Sequence, residues 1–154
     1  MPGDAARRER LILDAMVLVA GLTSRREPAS YSRRLVELAL DGRFELVVTA
    51  TLLQETHEVL VDPKFKGRVT EPEAATLVGG LAAIASIFLR DEYAERVRLA
   101  DDPDDDYLAH AAFDTGSVLV TRDEAAHFER IEGLRVARPG AALRLVGGLD
   151  DEDP

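Results

Sequence analysis

The sequence predicts an α/β fold: a single domain with a parallel central sheet and helices on both faces. Three observations carry that prediction. Short apolar runs that suit strands buried on both faces alternate with segments bearing helix-capping signals. A length of 154 residues, 46% hydrophobic, suffices for one core and is small for two. No internal repeat or low-complexity linker divides the chain.

Arg10-Leu11-Ile12-Leu13-Asp14 is an apolar run closed by an acid and reads as the first strand. Ser30 is a candidate cap for a helix whose stripe, Leu35, Val36, Leu38, Ala39 and Leu40, stops at Asp41-Gly42. Glu45 to Thr49 is the next strand, and Thr51 with Gln54 makes a capping box for a helix that ends near Val61, before Asp62-Pro63. Thr70 with Glu73 makes a second box, and the apolar stretch from Leu77 to Leu89 reads as a mostly buried helix, softened at Gly79-Gly80. A short extended piece near Arg96 to Leu99 precedes the acidic run Asp101 to Asp106, which opens an alanine-rich helix ending at Gly116. Ser117 to Thr121 is a buried strand, Asp123 to Glu129 a short helix, Leu134 to Ala137 a strand and Pro139 to Val146 a last helix. Residues 1–9 are then an N-terminal extension, 10–146 the domain, and 147–154 an acidic disordered tail.

Composition narrows the chemistry. With no cysteine, disulfides and thiolate metal sites are excluded, which leaves carboxylates and three histidines as protein ligands for an ion, and favours hard metals. No apolar run is long enough to span a bilayer and the start of the chain is charged, so a cytoplasmic protein without a membrane partner is expected. The net charge of -10 argues against nucleic acid. Residues 1–68, however, carry eleven Lys/Arg against ten Asp/Glu, so the acidity lies almost entirely in the second half.

In open parallel sheets ligands bind beyond the carboxyl ends of the strands. Asp14 ends the first strand, Glu55 sits early in the helix after the second, Asp105 starts a helix, and Asp123 follows the strand ending at Thr121. Asp105 and Asp123 could simply be helix caps, and Glu55 alone reads as a solvated helix residue. Asp14 is flanked by Ile12-Leu13 and Val17-Leu18, where an acid needs a partner or a metal. Several carboxylates without neighbouring cations repel one another, and Mg²⁺ or Mn²⁺ is the simplest neutraliser. Such a site supports hydrolysis of a phosphodiester.

Other readings of the acids fit less well. Counted from Asp102, an EF-hand would need Gly and Glu where Tyr107 and Phe113 stand. A phosphoryl-acceptor domain of receiver or haloacid-dehalogenase type needs a late lysine, and the only lysines are Lys64 and Lys66. His57, His110 and His127 are scattered over three helices without ligand spacing. Arg25-Arg26, Arg33-Arg34, Lys64, Lys66 and Arg68 are ordinary solvated charge unless they flank the acids, where they would hold phosphates. Tyr31, Phe65 and Tyr107 lie near such charges and could stack on bases.

The order and spacing of Leu11-Ile-Leu-Asp14, Phe44-Glu-Leu-Val-Val-Thr49, Leu52-Leu-Gln-Glu55, Val59-Leu60, Pro63-Lys-Phe65, Asp102-Pro-Asp-Asp-Asp106-Tyr-Leu and Leu119-Val-Thr121-Arg-Asp123 resemble the PIN-domain family. The likeness runs from Arg10 to Val146 and is greatest to its bacterial branch of VapC-like toxins from toxin-antitoxin pairs. It implies that Asp14, Glu55 and Asp105 are the principal metal-binding and catalytic acids and Asp123 the fourth, with Asp102 or Asp106 as substitutes for Asp105 and Thr121 as the hydroxyl that accompanies the fourth acid. It implies Mg²⁺- or Mn²⁺-dependent endonucleolytic hydrolysis of RNA, a small protein antitoxin as partner, and a homodimer. Where the family usually has Asn two residues after the first acid, this chain has Met16, whose thioether cannot replace an amide's hydrogen bonds. A PIN domain that binds RNA or protein without cutting is therefore the alternative.

Overall fold

The computed structural model describes residues 8–24, 30–89, 98–100, 103–122 and 125–148. Strands β1 (Arg10–Leu13), β2 (Glu45–Val48), β3 (Ser86–Ile87), β4 (Val118–Val120) and β5 (Val136–Ala137) form one sheet in the order β3-β2-β1-β4-β5, and every pairing is parallel. Leu11 to Leu13, Leu46 to Val48 and Val118 to Val120 are buried at every position. Because successive strand side chains point to opposite faces, burial without alternation means both faces of the sheet are covered. Among the described residues the cover comes from α1 (Ala15–Thr23), α2 (Tyr31–Leu40), α3 (Ala50–Val61), α4 (Glu71–Ile84), α5 (Asp106–Thr115), α6 (Ala125–Phe128) and α7 (Pro139–Leu145).

Several local signals act as read. Ser30 and Thr70 accept from the amides of Arg33 and Glu73, closing the starts of α2 and α4. Gly116, at φ 65°, ends α5 in the left-handed conformation that glycine adopts without strain.

Three elements depart from the sequence reading. Helix α1 is not predicted, because Ala-Met-Val-Leu-Val-Ala-Gly-Leu-Thr is apolar throughout and shows no polar face. A methyl group at Gly21 would lie 2.5 Å from Val36 Cγ2 and 2.6 Å from the Ser32 carbonyl, so this glycine lets α1 and α2 pack close. The cap of α3 is Thr49, whose hydroxyl accepts from the Leu52 amide at 3.0 Å, not Thr51. Strand β2 ends one residue earlier than the pattern suggests, and the chain turns helical at Ala50. The stretch from Leu77 to Leu89 is not one buried helix. Helix α4 stops at Ile84, Ala85 is extended, and Ser86 and Ile87 pair with Val47 and Val48 as an edge strand. Only Ala74 and Leu81 of α4 are buried, and Leu89 is 84% exposed. Pairing with an open strand edge here overrides local helical pattern.

The extended piece expected at Arg96 to Leu99 falls largely outside the described residues, as does the tail from position 149. The chain builds β2 and β3 on one side of β1, then returns to place β4 on the other. Strand order therefore reverses between β1 and β4, and beyond their carboxyl ends lies the crevice where open α/β sheets bind ligands.

Candidate active site

Asp14 sits at that reversal. Its backbone N–H donates to the Val120 carbonyl across the β1–β4 pair at 3.0 Å, which holds the first residue after β1 against the last of β4. The residue is 9% exposed, and its Oδ1 accepts from the Val17 amide at 2.9 Å, capping α1. The cap explains part of why an acid is tolerated there, since the first amides of a helix favour negative charge.

Helix α3 carries Glu55 to the same edge. Burial pushes its carboxyl above the ordinary value of 4.5, while a hydrogen bond from Tyr107 opposes that, and repulsion from Glu58, Asp104 and Asp14 adds to it. Tyr107 Oη donates to Glu55 Oε2 at 2.7 Å across 52 residues of chain. Glu55 thus feels an acid from the end of β1 and another from the turn before α5.

The acidic run is divided by role. Pro103 to Asp105 form a 3-10 turn that leads into α5. Asp105 occupies the N-cap position, but its side chain makes no capping bond, so capping does not account for this acid. Asp106 Oδ1 accepts from the amides of Leu99 and Ala100 at 3.0 and 2.6 Å, tying residues 98–100 to the start of α5. Two backbone amides occupy that carboxylate oxygen, which makes Asp106 a weak substitute for Asp105. Asp104 is the addition that sequence reasoning missed: it is among the acids whose repulsion reaches Glu55, and nothing in a run of acids says which one does.

Thr121 directly follows β4. It is fully buried, its amide donates to the Ala137 carbonyl, and its Oγ1 has no hydrogen-bond partner among the described residues. A buried hydroxyl without a partner costs about 1–3 kcal/mol, so an orphan at a strand end calls for a ligand or water. Asp102 and Asp123 lie outside the described residues. Among the described residues, no three Asp, Glu or His side chains converge closely enough to hold a metal ion. The chemistry of the set still fits a hard divalent cation: all candidate donors are oxygens, burial together with repulsion from nearby acids raises Glu55, and among the described residues Thr121 keeps an unmet hydroxyl.

The basic residues sort differently from expectation. Arg33 reaches Glu37 and the Ser24 carbonyl, and Arg34 donates to the Gly148 carbonyl, so both serve the scaffold. Lys66 and Arg68 line a separate cavity of about 760 Å³ with Leu22, Thr23 and Pro72. Arg25 and Arg26 lie outside the described residues. His57 pairs with Glu71 at 3.2 Å, away from any metal role. Within the described residues no helix is long and apolar enough to cross a membrane.

Solved structures share this architecture. A chain in the VapBC2 structure from Rickettsia felis bound to a DNA fragment from their promoter is 17% identical, with a TM-score of 0.55 over 84% of this chain and 98% of that one. One in the DNA-bound VapBC structure from Salmonella typhimurium is 18% identical, with a TM-score of 0.56 over 85% and 98%. One in the FitAB structure bound to IR36 DNA is 16% identical, with a TM-score of 0.54 over 84% and 94%. At such identity the likeness is one of fold. No curated protein sequence matches the chain. The PIN domain profile matches residues 10–125, from the first strand to the start of α6, and the chain belongs to the PIN-domain family.

Proposed function

We propose that this protein is a Mg²⁺- or Mn²⁺-dependent endoribonuclease, the toxin of a toxin-antitoxin pair, acting in the cytoplasm as a homodimer controlled by a small protein antitoxin. The observation that carries the reading is the carboxyl edge at the β1–β4 reversal, where burial first and then repulsion from Glu58, Asp104 and Asp14 raise Glu55, and Thr121 keeps a buried hydroxyl unmet among the described residues. Family membership gives nuclease chemistry to such an edge, and chains of the same fold occur in the VapBC and FitAB structures.

Asp14, Glu55, Asp105 and Asp123 would hold the ion, with Asp104 as a further ligand. A divalent cation bound there supplies a water of lowered pKa and offsets charge on the phosphodiester. The chain's own residues set the stage for that. Asp14 is fixed in direction by the Val17 amide, and Glu55 by the Tyr107 hydroxyl, so neither carboxylate must be ordered at the moment of reaction. The Thr121 hydroxyl can orient a water at the end of β4 by accepting or donating one hydrogen bond.

A second reading follows from Met16, which is 52% exposed in the first turn of α1 and offers no hydrogen bonds beside Asp14. In that reading the domain binds RNA or protein without cutting. The test is incubation of antitoxin-free protein with single-stranded and structured RNA, with and without Mn²⁺ or Mg²⁺, beside Asp14→Asn and Asp105→Asn. Metal-dependent cleavage lost in both variants is expected. An intact protein that cuts no RNA with either metal makes the binding module the better account.

A further inference from the structure

Next to the acids, the same sheet edge carries a cavity of about 690 Å³ between the starts of α2 and α7. Arg122, Arg138 and Arg144 line it with Ser30, Tyr31 and Gly140. Arg122 immediately follows Thr121, so the cavity adjoins the candidate active site. Arg138 donates to the Arg122 carbonyl, which fixes one guanidinium at the mouth of the cavity.

Two features single this cavity out. First, among the described residues no carboxylate pairs with Arg122, Arg138 or Arg144, although the protein carries 29 acids. Elsewhere arginines find acids, as Arg10 does Glu45, Arg33 does Glu37 and Arg135 does Glu9. Three arginines lining one cavity, with no carboxylate paired to them among the described residues, leave positive charge there that an anion would offset. Second, Tyr31 is 44% exposed, and its ring lies so near Gly140 that a methyl there would sit 3.2 Å from Cε2. This exposed tyrosine, packed on one side by Gly140, lines the same cavity as the arginines.

We infer that this cavity is the subsite that grips the RNA strand next to the scissile bond, with Arg122, Arg138 and Arg144 on consecutive phosphates and Tyr31 stacked on a base. Guanidinium forks match phosphate oxygens, and every base offers a face to an aromatic ring, so the combination recognises single-stranded nucleic acid with little sequence preference. The substrate class rests on the ribonuclease reading, while the binding site itself does not require cleavage.

The experiment measures fluorescence anisotropy of labelled single-stranded RNA with the Asp14→Asn protein in chelator, across a range of salt. Arg138→Ala/Arg144→Ala should weaken binding and reduce the slope of log affinity against log salt by about 1.4, since each phosphate neutralised on a single strand adds about 0.7 to that slope. Arg138→Lys/Arg144→Lys should restore the slope better than affinity, because charge returns without the fork. Tyr31→Ala should cost about tenfold and Tyr31→Phe little, as stacking on a base predicts. Arg8→Ala/Arg135→Ala removes equal charge at the opposite sheet edge and should change binding far less.

Unchanged affinity and slope in the cavity variants, or equal weakening in the Arg8/Arg135 control, would overturn the inference. So would an effect confined to duplex DNA or to an acidic peptide. If wild-type protein cuts no RNA with Mn²⁺ or Mg²⁺ yet the cavity variants still lose RNA binding, the nuclease reading fails and the subsite stands. Cleavage and binding that are both indifferent to the cavity variants give the reverse result.

Discussion

The two edges of one sheet treat charge in opposite ways. At the amino edge, Glu45 at the start of β2 accepts from Ser86 Oγ at 2.6 Å and from Arg10 Nε at 2.7 Å, and these partners hold its carboxyl below the ordinary value. At the carboxyl edge, Glu55 is raised by burial and by other acids, and among the described residues Thr121 has an unmet hydroxyl and three arginines share a cavity without a paired carboxylate. Glu45 is relieved by two partners, whereas Glu55, despite its bond from Tyr107, stays raised by burial and neighbouring acids. Unrelieved charge at one edge, beside relieved charge at the other, marks where a cation and an anionic strand would be neutralised together.

The largest expected effect comes from breaking the unrelieved edge. Asp14→Asn should reduce metal-dependent RNA cleavage by about 100-fold or more, the worth of about 3 kcal/mol of charge stabilisation. Stability should not follow, because Asn is as good a helix cap and relieves repulsion on Glu55. Thermal melting in chelator that is equal to or above wild type, alongside lost cleavage, separates a functional acid from a structural one. A lower melting temperature would mean that Asp14 mainly serves α1.

Thr121→Val sharpens the same point. Replacing an unmet buried hydroxyl by a methyl should stabilise the metal-free protein by about 1–2 kcal/mol, read by denaturant unfolding, and slow cleavage by about tenfold. If the variant is instead destabilised, the hydroxyl has a protein partner and the edge is less strained than the geometry says. Met16→Asn should act in the other direction, raising cleavage by about tenfold if an outer-shell amide is what the site lacks. Since Met16 is exposed, unfolding should change by less than about 0.5 kcal/mol.

How much of this could be read from the chain follows the same division. The strands were legible because burial on both faces leaves continuous apolar runs, and Asp14 stood out because an acid interrupts one of them. The caps at Ser30 and Thr70 and the stop at Gly116 were legible because their chemistry is local. Helix α1 was hidden by being apolar on every side, and β3 by being two residues long and held only through β2. At the site, a run of acids announced itself without saying that the charge of Asp104 reaches Glu55 or that Asp106 is taken by backbone amides. The hydrogen bond from Tyr107 to Glu55 and the meeting of Arg122, Arg138, Arg144 and Tyr31 on the walls of one cavity are products of tertiary packing, and no spacing rule reports them.

The smallest effect tests the relieved edge as the control for all the others. Glu45→Gln removes the ion pair to Arg10 while leaving an acceptor for Ser86, and exposed pairs of this kind are worth about 0.5–1 kcal/mol. The sign follows from the lowered carboxyl of Glu45. A depressed folded value means that its stabilisation is present above the unfolded value of about 4.5 and is lost as pH falls through the folded value. Wild type should therefore exceed Glu45→Gln in urea unfolding at pH 7, and the gap should close as the pH is lowered past that window. Cleavage at pH 7 should not change, because nothing at this edge touches the crevice beyond β1 and β4. A variant that loses cleavage in proportion to stability would show that the two edges are coupled through the sheet, and the separation between scaffold charge and functional charge would have to be given up.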